Sequence, residues 1–530
     1  MSERPVLIAG RWRPARASGD PFQALDPKTG RQLPPLFPVS SWEDIEEALE
    51  AGSQAAAHLS ELPDEAIASG LDRAARRLLD RADDLIKTAA EETALPAEPR
   101  LRASELPRTV GQLHQAAAAA RDGSWRRATI DTKLNIRSRL EPLGGPVAVL
   151  GPNNFPFAFN AASGGDFAAA LAAGNPVLAK AHPGHPETTR LLAEVVSAAL
   201  QEAGLPDAVF QMIYHIRPED GLRLVADPRL GATAFTGGRS AGLRLKTAAE
   251  AGGRPIYLEM SGINPVFLLP AALEERAGEL GDALFASCSL GAGQFCTKPG
   301  LAAFIAGGAG DRFVAAAAAA FRGAPAGYLL GPGVLDALRG SVERMIAAGA
   351  ELLAGGRALP PPGFRYESSL LRISARDFLR RPADFQSEAF GAATILVVAA
   401  AEAELVETAR AIEGTLAASI YSGRGSDDEP LYERIAPLLA GRTGRLLNDK
   451  MPTGLAVVAS MVHGGPFPAS GHPGFTAVGL PAAMTRFAAL RAYDNVRPHR
   501  LPLDLRDPNP TGRMWRAIDG EWTQASIGPR

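Results

Sequence analysis

Three side chains sit where covalent catalysis would want them. Cys296 lies in Gly291-Ala292-Gly293-Gln294-Phe295-Cys296-Thr297, where glycines and small residues leave a thiol sterically open, as a nucleophile requires. Taken alone it has a second reading, because free cysteine is commonly buried filler. Cys288, in Ala286-Ser287-Cys288-Ser289, has a helix-like context and reads as packing. Glu259 ends an apolar β run, Tyr257-Leu258-Glu259, just before a glycine-containing turn, where a parallel sheet delivers its functional groups. In isolation it reads better as a capping or salt-bridging surface residue. Asn154, in Gly151-Pro152-Asn153-Asn154-Phe155-Pro156, follows a strand directly, and its amide can donate to a developing oxyanion or satisfy its own loop.

Composition narrows what such residues would act on. The 530-residue chain has 55 Lys+Arg against 58 Asp+Glu, a net charge of −3, which lacks the field that a nucleic-acid or anionic-membrane binder needs. A small-molecule partner is expected. Two cysteines outside any C-x-x-C pair exclude a disulfide framework and make no zinc site on their own, which points to a reducing compartment and to no metal. Residues 1–10 show no basic region followed by an apolar run of roughly 7–15 residues, and no stretch approaches the roughly 18 apolar residues that would span a bilayer. The expectation is a soluble, cytoplasmic protein.

The elements that must hold these residues follow from periodicity. Apolar residues 6–9 and the turn-rich Asp26-Pro27-Lys28-Thr29-Gly30 predict an N-terminal hairpin. Ser40 with Glu43 has the spacing of a capping box and opens a long helical region that includes the run 116–120. Residues 125–140 are strand-like and basic, suggesting a projecting ribbon. From Pro146 onward, apolar runs at 147–150, 177–179, 209–213 and 232–235 alternate with helices at 166–173, 187–203 and around Gly221. That alternation predicts βαβ units on a parallel sheet, with ligands at the carboxyl ends of its strands. Further strands are expected at 302–305 and 395–398, a last helix before Tyr493, and a mostly irregular tail after Pro498.

Together with their neighbours these residues resemble the aldehyde dehydrogenase superfamily over nearly the whole chain. The resemblance rests on Ile8-Ala9-Gly10-Arg11-Trp12, Asp26-Pro27-Lys28-Thr29-Gly30, Pro142-Leu143-Gly144, Asn154-Phe155-Pro156, Phe235-Thr236-Gly237, Leu258-Glu259, Gly293-Gln294-Phe295-Cys296 and Glu388-Ala389-Phe390-Gly391, with Glu259 lying 37 residues before Cys296. Within the superfamily, Lys180-Ala181-His182-Pro183-Gly184-His185-Pro186, the segment from Gly293 through Pro299-Gly300 and Met461-Val462-His463-Gly464-Gly465-Pro466-Phe467-Pro468-Ala469 look like the α-ketoglutarate semialdehyde (2,5-dioxovalerate) dehydrogenases and their NADP-linked fatty-aldehyde relatives.

The resemblance implies a mechanism. Cys296 would attack the aldehyde, Asn154 and the Cys296 N–H would hold the oxyanion, hydride would pass to the nicotinamide, and Glu259 would activate the water that hydrolyses the thioester. Glu259 also favours a free acid as product, since members that pass the acyl group to coenzyme A usually lack this residue. For the cofactor, the resemblance places Lys180 at the adenine ribose, Glu388 with Phe390 at the nicotinamide end, and Gly237 and Gly242 in the Gly-x-x-x-x-Gly opening of a helix that faces the pyrophosphate. Two positions depart from the common pattern. Gly238 replaces a serine, and Pro183 stands where NAD-preferring members often carry a glutamate. With no carboxylate to repel a 2′-phosphate, NADP is expected ahead of NAD, with Arg239 and His182 as candidate partners. For Arg239 a solvated helix-start position is the alternative. Lys298 has two readings, attracting a substrate carboxylate or lowering the thiol pKa, against the plainer one of pairing elsewhere; His463 either lines the substrate tunnel or bonds within its loop.

The implied architecture is α/β: a Rossmann-type cofactor domain (1–124 and 141–258), an α/β catalytic domain (259–440), an oligomerisation ribbon (125–140 and 485–500), a return segment near the active site (441–484) and a C-terminal tail (501–530). The resemblance implies a homodimer or homotetramer. The expected reaction is oxidation of α-ketoglutarate semialdehyde to 2-oxoglutarate. The rivals are a medium- or long-chain aliphatic aldehyde dehydrogenase and a non-catalytic NADP-binding scaffold.

Overall fold

A computed structural model describes residues 3–16, 19–260 and 262–528. Short, largely buried apolar strands alternate with amphipathic helices and gather, with the polar edge strand Arg11–Arg13, into a seven-stranded sheet ordered Arg11–Arg13, Val6–Ile8, Phe210–Ile213, Val177–Lys180, Val147–Leu150, Ala232–Thr236, Ile256–Glu259. The last five run parallel. Such strands read as continuous apolar runs because helices cover both faces of the sheet. From Val147–Leu150 the chain winds outward to one side and then crosses to Ala232–Thr236 on the other, so the strand order reverses between these two neighbours. A crevice opens at such a reversal, beyond the carboxyl ends of the strands.

The expected N-terminal hairpin turns at Ala9-Gly10, both with positive φ (49° and 74°), and residues 26–30 form a second turn across which Leu25 pairs antiparallel with Gln32. The capping pattern is displaced by one residue. Ser41, not Ser40, accepts from the Asp44 N–H to start helix Trp42–Leu59, while the Ser40 hydroxyl accepts from the Tyr214 N–H. Two adjacent serines offer the same local chemistry, and a tertiary contact decided between them.

A second seven-stranded sheet runs Glu351–Ala354, Ser369–Ser374, Ala393–Ala399, Leu301–Ile305, Val266–Leu268, Thr415–Tyr421, Thr443–Asn448, parallel except at the first edge. A third sheet pairs Ala488–Asp494 with Ile136–Pro142, then Thr129–Asp131, Arg516–Ile518 and Glu521–Thr523. The tail after Pro498 is therefore more ordered than its composition predicts. Arg516 is fully buried and donates to the carbonyls of Arg506, Asp507 and Ala525, so a polar hub organises the segment and no apolar period announces it. Before Tyr493 the expected helix is a short 3₁₀ segment, Ala482–Phe487. Among the described residues no helix is long and apolar enough to cross a membrane.

Candidate active site

The carboxyl ends of the first sheet, the loop carrying Cys296 and the segment carrying Glu388 enclose a cavity of about 290 Å³. Asn154, Glu259, Cys296, Gly237, Glu388 and Phe390 all line it, so residues up to 236 positions apart in sequence share one space.

Buried polar contacts hold the cysteine loop. Asn264 is fully buried and donates to the carbonyls of Cys296 (2.8 Å) and Lys298 (3.0 Å) while accepting from the Ala417 N–H. Gln294 bonds the carbonyls of Gly291 and Tyr328 and accepts from the Leu330 N–H. Gly293 (φ 75°) brings the loop so near the Glu388 segment that a Cβ there would lie 2.1 Å from the Gly391 carbonyl carbon. Neither amide side chain is marked in the sequence as a functional residue, because a buried Asn or Gln that satisfies main chain leaves no periodic trace.

Cys296 is half-buried and Cys288 fully buried in helix Pro270–Ser289, where burial pushes its thiol up to about 11, as suits packing. Cys296 Sγ lies 3.4 Å from His463 Nε2, which is 3.0 Å from Glu259 Oε1. Burial pushes the Cys296 thiol well above its ordinary value, and the Glu259 charge adds to that. The thiol is therefore held protonated until a base accepts its proton, and the imidazole stands within reach. Glu259 is 1% exposed and its Oε2 has no hydrogen-bond partner, leaving one carboxylate oxygen for a water. The Asn154 amide donates to the Gln294 carbonyl at 2.9 Å, which leaves its second N–H beside the cysteine loop.

The return of the chain at 463–476 delivers His463. Met260 N–H donates to the Ala469 carbonyl and Gly471 N–H to that of Leu258, stitching this segment onto the end of the Glu259 strand. Gly464 fits because a Cβ there would lie 2.1 Å from the Phe475 carbonyl oxygen. Of the two readings for His463, the geometry places it at the thiol and carboxylate.

Lys180 closes strand Val177–Lys180, and His182, which lines the cavity, and the half-buried Pro183 follow it. Burial lowers Lys180 to about 8, and its ammonium has no partner among the described residues. His182 Nδ1 accepts from the Gly184 N–H, and His185 Nε2 donates to the Pro152 carbonyl, which fixes this corner. Glu388 is raised to about 8, chiefly by burial, and its carboxylate is likewise unpartnered there. Gly237 lies against Phe235, whose ring a Cβ would meet at 2.6 Å, and Gly242 packs helix Arg239–Ala251 on Met260. Two sequence candidates are not brought to this space. Arg239 ion-pairs with Glu413 at 3.2 Å and borders a separate cavity. Lys298 is buried and donates to the Ala393 carbonyl at 2.6 Å, so the plainer reading, a lysine paired elsewhere, describes it.

A doubly wound sheet with a switch-point cavity lined by an unpartnered glutamate, and with an unpartnered lysine ending a neighbouring strand, is the architecture in which dehydrogenases seat a dinucleotide at strand ends. Residues 12–444 match the aldehyde dehydrogenase family, and the chain belongs to that family. It is 38% identical over 504 residues to an alpha-ketoglutaric semialdehyde dehydrogenase 2 from Azospirillum brasilense, covering 93% of this chain and 95% of that one. It is 35% identical over 500 residues to an alpha-ketoglutaric semialdehyde dehydrogenase from Acinetobacter baylyi, covering 92% and 93%. The fold matches PnpE from Pseudomonas sp. WBC-3 in complex with nicotinamide adenine dinucleotide, with a TM-score of 0.79 at 20% identity over 94% of this chain and all of that one.

The cavity fits such a group. The glycine-opened N-terminus of helix Arg239–Ala251 leaves open space at Gly238, where a Cβ would meet nothing within 4 Å. Helix N-termini favour phosphates, and the unpartnered Lys180 and Glu388 suit the hydroxyl groups of two riboses.

Proposed function

We propose that this aldehyde dehydrogenase oxidises α-ketoglutarate semialdehyde to 2-oxoglutarate by a covalent route on Cys296, with NADP preferred to NAD. The observation that carries the chemistry is the meeting of Cys296, His463 and Glu259 within hydrogen-bond reach. The names of the two semialdehyde dehydrogenase relatives support the substrate.

His463 Nε2 takes the thiol proton, and the imidazolium is held by Glu259 Oε1 as Sγ attacks the aldehyde carbon. The resulting oxyanion lies between the Asn154 amide and the Cys296 N–H, which donates to no acceptor among the described residues. A bound nicotinamide dinucleotide supplies the hydride acceptor. Lys180, Gly237, Gly242, Glu388 and Phe390 would hold it, and loss of hydride from the thiohemiacetal carbon would leave Cys296 as a thioester. Glu259 then removes a proton from water, the hydroxide adds to the thioester carbon, and the C–S bond breaks to give the acid as His463 returns its proton to Sγ.

An aliphatic aldehyde is the second reading, supported by Phe155, Phe159, Phe295 and Phe475, which cluster beside the cysteine loop. Turnover separates the two. The semialdehyde should show the higher kcat/KM against hexanal, and a preference for hexanal would overturn the substrate assignment.

For the cofactor, Pro183 leaves the Lys180 corner without a carboxylate, and His182 lines the cavity there. KM should be lower for NADP than for NAD, and Pro183→Glu should reverse the order by restoring repulsion of the 2′-phosphate. A wild type that favours NAD would refute the preference. The edge strand Ala488–Asp494, with Leu490 71% exposed, supports pairing with a second copy as a dimer or tetramer, and the two free thiols suit a reducing cytoplasm.

A further inference from the structure

The first turn of helix Leu106–Asp122 carries Arg108 into the phenylalanine cluster beside Cys296. Its guanidinium lies 5.4 Å from the Phe155 ring centroid and 5.0 Å from that of Phe159, whose ring is in turn 5.8 Å from that of His463. Nε donates to Gln112 Oε1, which orients the fork, while Nη2 is buried and has no hydrogen-bond partner.

Two cations stacked on the same cluster have carboxylate partners. Arg100, on the same Phe155 ring, pairs with Glu105 at 2.5 Å and donates to the Asn154 carbonyl, and Arg486, over Phe475, pairs with Asp166. Arg108 alone of these three has no carboxylate among the described residues. Burial pulls its guanidinium down from the ordinary value, while the charges of Glu105, Cys296 and Glu259 oppose that shift. A half-buried cation whose buried Nη2 is unused is completed by an anion, and a planar fork stacked on rings matches a carboxylate. Among the described residues no acidic side chain pairs with it.

We infer that Arg108 binds the carboxylate of a 2-oxo acid aldehyde, holding the end of the substrate remote from the carbon that Cys296 attacks. This rests on the proposed substrate and deepens it, since a semialdehyde carries the anion that Arg108 lacks. The phenylalanines would line the methylene chain between the two ends.

Two variants test this, Arg108→Leu and Arg108→Gln, each assayed with the semialdehyde and with hexanal. Loss of a charge-assisted pair should lower kcat/KM for the semialdehyde about 100-fold, mainly through KM, and leave hexanal within about threefold. A second readout uses hexanal alone, with 2-oxoglutarate as inhibitor: it should compete with hexanal in the wild type and fail to do so in either variant. If the wild type favours the semialdehyde and is inhibited by 2-oxoglutarate, but both variants keep these properties, the anchor is overturned. If the wild type favours hexanal yet shows inhibition that depends on Arg108, the carboxylate site stands and the substrate reading falls. Should the leucine variant not fold, the glutamine variant, which keeps a polar group facing Gln112, decides the matter.

Discussion

Replacing Cys296 by alanine should lower aldehyde-dependent reduction of the dinucleotide by at least about 10⁴-fold, because a nucleophile that forms the covalent intermediate has no substitute. The alanine removes one sulfur from a half-buried position and leaves the Asn264 and Gln294 contacts to the loop main chain intact. Unfolding midpoint and dinucleotide binding should therefore match the wild type, the second measured by fluorescence titration. Cys288 provides the control. Buried in its helix with its thiol pushed up to about 11, it should leave turnover within a few-fold when changed to alanine. Full activity of Cys296→Ala would remove the covalent route.

Glu259→Gln should produce the second large effect. The amide keeps the shape of the side chain but cannot take a proton from water, so steady-state turnover should fall about 10²–10⁴-fold while the first turnover persists as a burst. Hydroxylamine, which attacks thioesters without needing that base, should relieve the block. A second consequence concerns the thiol. Burial is the larger cause of its raised pKa and the Glu259 charge the next, so neutralising residue 259 removes an anion that disfavours the thiolate. The pH profile of inactivation by iodoacetamide should then move to lower pH in the variant. An unchanged steady-state rate would overturn the role of Glu259 as base, and an unmoved alkylation profile would show that burial alone sets the thiol.

Much of the site was legible because its parts occupy positions that local sequence marks. Runs of buried apolar residues end at Leu150, Lys180, Thr236 and Glu259, and the loops leaving these strand ends face the crevice. Less visible were the groups that act across long separations. Nothing near His463 announces a partner 167 residues earlier; the bonds of Ala469 and Gly471 to the Glu259 strand bring it there. Arg239 had the right position at a helix start, yet it pairs with Glu413, from a distant loop, and borders a neighbouring cavity. The readings for Lys298 and for the capping serine were settled in the same manner, by the nearest satisfied partner.

The amino-acid order alone determined an α/β chain with parallel strands, the residues at the strand ends, and a family resemblance carried by Asn154, Glu259 and Cys296. These depend on periodicity and on local turn chemistry, which act over a few residues. Tertiary structure alone decided that His463 joins the thiol and the carboxylate, that Asn264 and Gln294 fix the cysteine loop, that Arg516 orders the tail, and that Arg108 Nη2 has no partner among the described residues. Each of these is a matter of which buried polar group finds a partner. Burial makes an unmet hydrogen bond or charge costly, but which groups are buried together is set only when the distant segments pack.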